Sequence, residues 1–73
     1  MNTQWAIKFR KAERETPRTE RFETFLFLER RLHELETDNM PKEFMTIRAP
    51  DPEHVTSRER QGLKELGFKP PFR

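Results

Sequence analysis

Cysteine is missing from the 73 residues, and with it go any disulfide framework and all thiolate chemistry. That absence suits a reducing cytoplasm. No apolar run approaches the ~20 residues of a membrane-spanning helix, and the first residues hold no signal-peptide core. Glycine is scarce as well: Gly62 and Gly67 alone cannot build a phosphate-cradling loop. The two histidines, His33 and His54, stand far apart without HExxH spacing, so no zinc site is expected. His33 is expected on a solvated helix face and His54 in a linker. Carboxylates are plentiful, yet nearly all sit beside Lys or Arg, which ion pairing explains better than paired acid–base catalysis. The expectation is a soluble intracellular protein that is not an enzyme, has no cofactor or metal, and does not enter a membrane.

Apolar residues are also few, 32% of the chain against 38% charged, so one small domain with a thin core is expected over residues 1 to 73. A domain near 60 residues buries roughly 60% of its unfolded surface, which makes stability marginal or borrowed from a partner. Charge is nearly balanced at +2 but unevenly laid out. Residues 1 to 31 carry eight basic and five acidic groups, and residues 32 to 55 carry two and six. From residue 56 onward the counts are five and two. A dedicated nucleic-acid binder has a larger uniform excess, because phosphate neutralisation supplies its affinity. Basic ends around an acidic middle fit a protein partner at least as well.

What is present falls into four elements. Residues 4 to 11 alternate Trp5, Ile7 and Phe9 with smaller or charged side chains, as a half-buried edge strand does. Thr16 reads as an N-cap with Pro17 at the first helical position. A helix over residues 18 to 35 then follows from the spacing of Phe22, Phe25, Leu28, Leu32 and Leu35. Within it "TFLFL" (24 to 28) fits a buried strand as well as a helix. The segment around Asn39 and Met40-Pro41 ends this helix. "EFMTIRAP" gives a second strand over 44 to 49, and residues 50 to 55 a Pro-rich linker. Thr56-Ser57-Arg58-Glu59 matches a capping box and Gly67-Phe68 a Schellman stop, predicting a short helix over 56 to 67. An extended tail, 68 to 73, closes the chain. The expected fold is α+β, ordered strand-helix-strand-helix, with a two-stranded sheet packed on the long helix.

The candidate site residues are for binding. Trp5 either completes the core or anchors an interface, and Phe9 and Arg10 join it as anchors. Lys8, Lys11, Arg14, Arg18 and Arg21 supply steering charge, although Glu13, Glu15 and Glu20 between them weaken a nucleic-acid role. In the tail, Lys69, Phe72 and Arg73 are candidate contacts, with Pro-Pro stiffening the segment for an aromatic-lined groove. Neither a helix-turn-helix nor an RNP-type strand signature is present.

The segments "MNTQWAIKFRKAERE", "TFLFLERRLHELE" and "LKELGFKPPFR" together resemble the small RNA-polymerase-binding regulators of Xanthomonas-infecting lytic phages. The resemblance spans the whole chain and rests on no portable motif. It implies a host-takeover factor of the host cytoplasm, monomeric when free. Such a factor binds bacterial RNA polymerase at the β′ N-terminal segment, near the β flap and the RNA exit channel. It also implies inhibition of σ-dependent initiation and suppression of termination, together with NusA; contact with emerging RNA stays open. The alternative class is a small basic nucleic-acid-binding or ribosome-associated protein.

Overall fold

A computed structural model describes residues 3 to 68 of the chain. Three strands, β1 (Trp5–Phe9), β2 (Arg18–Phe22) and β3 (Met45–Arg48), form an antiparallel sheet in the order β2-β1-β3. Two helices, α1 (Phe25–Thr37) and α2 (Ser57–Glu65), accompany it, with single 3-10 turns at Lys42–Phe44 and Pro52–His54. The α+β class is as expected; the number of strands and their order are not.

β1 forms where the alternation predicts, but in the centre of the sheet. Trp5 pairs with Phe22 and Phe9 with Arg18 on one side; on the other, Ala6 pairs with Arg48 and Phe9 with Met45. Its backbone is therefore not the free edge expected of residues 4 to 11. The physical reason lies in composition. Only β1 brings three large buried side chains, Trp5, Ile7 and Phe9, to one face, so the other strands gain most by flanking it.

The helix expected from residue 18 starts seven residues later. Residues Arg18–Phe22 pair in register with all of β1, and the N-cap is Thr24, whose Oγ1 accepts from the Phe27 N–H at 3.4 Å, not Thr16. Pro17 precedes an outer strand, where a missing N–H costs no ladder bond. Phe22 had extended the apparent helical stripe because it faces the same core from the sheet. "TFLFL" thereby resolves into a cap and the first turn of α1.

α1 crosses the face of the sheet that carries Trp5, Ile7 and Phe9, and sets Leu28, Leu32 and Leu35 against them. It joins β2 to β3, which run parallel to each other on either side of β1. The helix ends in a Schellman motif: Asn39 takes φ 59° and the Met40 N–H donates to the Leu35 carbonyl at 2.9 Å. Asn39, with the asparagine tolerance for that region, ends the helix, and Pro41 only follows.

α2 follows the sequence closely. Thr56 Oγ1 accepts from the Glu59 N–H at 3.1 Å while Glu59 accepts from the Thr56 N–H at 2.9 Å, completing the capping box. Gly67, at φ 97°, and the Phe68 N–H donating to the Leu63 carbonyl form the predicted Schellman stop. Lys42 Nζ donates to the Leu66 carbonyl, placing a cation at the negative end of the helix. Leu63 is fully buried, and Gly62 lets α2 approach α1: a Cβ there would lie 3.3 Å from Phe25 Cζ. Phe25 in turn meets Trp5 edge to face, ring centroids 5.2 Å apart.

Leu28→Ala should lower unfolding free energy by about 3 kcal/mol, as large-to-small core changes do. Asn39→Ala and Gly67→Ala should each cost about 1 kcal/mol from left-handed backbone, while Asn39→Gly costs nothing measurable. Urea denaturation followed by circular dichroism reads all four. Equal losses for Asn39→Gly and Asn39→Ala would show that side-chain contacts, not backbone conformation, hold that turn.

Candidate functional site

The period of two along a strand sorts the charged residues of β1 and β2 between two faces. Arg18, Glu20 and Phe22 share the face of Trp5, Ile7 and Phe9, because directly paired residues project to the same side. Glu20 is used there. Its carboxylate accepts from Arg31 Nε at 2.8 Å and Nη2 at 3.1 Å, tying α1 to β2, while Arg31 Nη1 reaches Glu34 at 3.0 Å. The hydrogen bond to Glu20 raises the Arg31 pKa above its ordinary value, against an opposing push from burial; Glu34 adds to the rise.

The opposite face of the sheet is bare of helices and holds six side chains in two rows. Arg21, Ala6 and Arg48 form one row across the three strands, and Thr19, Lys8 and Thr46 form the next. With neighbouring strands about 4.8 Å apart, the Arg21 and Arg48 backbones stand about 10 Å from each other across Ala6. The six residues line an open depression of about 690 Å³. No carboxylate lines it. Lys8, Arg21 and Arg48 make no ion pair or side-chain hydrogen bond among the described residues.

The other sequence-predicted site residues scatter. Trp5 and Phe9 are only 2% and 3% exposed, so both belong to the core and present no anchor at the surface. Of the two readings of Trp5, the core reading matches its place. Arg10 lies over the Phe44 ring, its Cζ 4.8 Å from the centroid, and donates to the Glu13 carbonyl at 2.8 Å. Lys11 and Arg14 are exposed in the β1–β2 loop, where the Lys11 N–H donates to Glu15 at 2.7 Å. Arg18 is exposed at the end of β2. Lys69, Phe72 and Arg73 lie outside the described residues.

Sequence reasoning missed Thr19, Thr46 and Arg48 on the open face, although Thr46 and Arg48 do alternate against Met45 and Ile47. It also missed Leu26 and Phe27, which are 60% and 51% exposed on the first turn of α1. Leu26 separates two shallow grooves. One runs past Glu29, Arg30 and His33 along α1; the other, between α1 and α2, is lined by Arg58, Gln61 and Glu65. Among the described residues no three His, Asp or Glu side chains gather closely enough to hold a metal ion. No described helix is long and apolar enough to cross a membrane. Comparison of the chain with protein-family models, curated proteins and solved structures gives no match.

The two faces predict different responses to substitution. Alanine at Lys8, Arg21 or Arg48 should shift stability by less than about 0.5 kcal/mol, as at other solvated positions. Glu20→Ala should cost about 1 kcal/mol by removing the two-pronged partner of Arg31 on β2, and the difference should shrink in molar salt. Thermal unfolding at low and high salt checks both statements.

Proposed function

We propose that this chain is a non-enzymatic transcription regulator that binds bacterial RNA polymerase. Its resemblance to the phage regulators suggests the docking place, the β′ N-terminal segment near the β flap and the RNA exit channel. The observation that carries a protein-binding reading is the Leu26–Phe27 pair. A chain this poor in apolar residues leaves these two large ones in water, with Glu29, Arg30, Arg58 and Glu65 beside Leu26. An apolar centre within a polar rim is the anatomy of a protein interface. The exposed Lys11 and Arg14 of the β1–β2 loop supply long-range attraction to acidic polymerase surface.

The mechanism that the resemblance suggests is compatible with the size of the protein. A body of 35 × 24 × 20 Å lodged between mobile parts of a large enzyme favours the arrangement it fits. Initiation falls where that arrangement excludes σ, and termination falls where it keeps an RNA hairpin from forming in the exit channel. NusA belongs to the same complex during elongation. The setting is the host cytoplasm, and the free protein is a monomer.

Mixing with purified Xanthomonas RNA polymerase tests this reading. The expected result is co-elution on a sizing column, fewer σ-dependent transcripts and more read-through at an intrinsic terminator. Leu26→Asp with Phe27→Asp should weaken binding by at least about tenfold, or 1.4 kcal/mol, with the circular dichroism spectrum unchanged. A polymerase that neither co-elutes nor changes its transcript pattern overturns the proposal.

A further inference from the structure

We infer that the open face of the sheet is a binding site for the phosphodiester backbone of single-stranded nucleic acid, held by Lys8, Arg21 and Arg48 with the hydroxyls of Thr19 and Thr46. The site is separate from the apolar pair on α1, and free protein without polymerase suffices to test it.

Charge sorting is the first ground. In the linear sequence Glu20 sits beside Arg21 and opposes any anionic ligand. In the fold it points to the helix-covered face, where both carboxylate oxygens are occupied by Arg31. What remains outside is three cations, two hydroxyls and Ala6 at the floor, with no carboxylate among the six. Arg21 and Arg48 rise on either side of that small residue, which leaves room for a backbone to lie between two guanidinium groups. Guanidinium forks, ammonium and hydroxyl groups are the donors that phosphate oxygens take.

Chemistry also separates this ligand from an acidic protein. A protein interface of useful strength has an apolar or aromatic centre, and this face has only Ala6 and threonine methyls. Phosphate contacts need none. The face also carries no aromatic ring on which a base could stack, so binding is to the backbone and indifferent to base identity. Its width keeps it out of a duplex groove, whereas a single strand can lie along the depression. Three strands abreast span about 10 Å between outer backbones before side chains are counted, whereas a major groove about 12 Å wide admits a helix or a two-stranded ribbon.

Fluorescence anisotropy with short oligouridylate, oligoadenylate and oligodeoxythymidylate tests the site, against poly-L-glutamate and a DNA duplex as competitors. Three phosphate contacts to a single strand give a contribution of about −2 to the slope of log affinity on log salt, or roughly twentyfold between 50 and 200 mM. The variant combining Lys8→Ala, Arg21→Ala and Arg48→Ala should lose that contribution and keep its melting temperature. Arg60→Ala, on the exposed side of α2, should leave the slope as it is. The three oligonucleotides should bind within severalfold of one another. An unchanged slope in the triple variant, a strong preference for one base, or better competition by duplex or poly-L-glutamate would each overturn the assignment.

Discussion

The pairing of β1 on both sides is the constraint on which the rest of this protein depends. A single strand carries Trp5, Ile7 and Phe9, and a core this thin closes only if that strand is covered along both edges and on one face. β2 and β3 supply the edges, and α1 supplies the cover as it passes between them. Leu63 and Met40 then complete the buried cluster. Once the apolar side of β1 is committed inward, the alternation of a strand leaves Ala6 and Lys8 outward with no helix above them. The bare cationic face is thus the necessary reverse of the core.

Signals that act within one turn of chain were legible in the sequence. The capping box at Thr56 and the glycine stop at Gly67 depend on atoms a few residues apart, so their geometry is settled locally. The apolar period of α1 from Phe25 onward was equally readable. What failed was non-local. Arg18–Phe22 shows only a weak alternation of its own and becomes a strand because β1 offers a complete ladder. Phe22 fell on the helical stripe by coincidence of spacing, since a strand and a helix packed on one core both aim apolar residues at it. For the same reason Thr24 went unnoticed as a cap.

The candidate binding residues divide along the same line. Lys8 and Arg21 were visible as charges, but their common face was not, because it depends on which strands lie side by side. Arg48, far along the chain, could join them only through the β1–β3 register. Trp5 and Phe9 drew notice as aromatic side chains among basic ones, and the same alternation that put Lys8 outside put them inside. Exposure of Phe27 had no sequence signal beyond sitting off the stripe that Phe25, Leu28 and Leu32 define, and Leu26 reads as the border of that stripe although it is exposed.

The contact between Trp5 and Phe25 has an optical consequence. Trp5 is the sole tryptophan, and its ring meets Phe25, which itself lies against Gly62 of α2. Neither the open sheet face nor the Leu26–Phe27 pair includes it. Its emission is therefore blind to a ligand that settles on either surface and leaves the core at rest. It responds when the sheet and the two helices shift against one another. A change in that emission on adding a partner marks deformation of the protein, and constancy marks rigid docking, without any label attached to the chain.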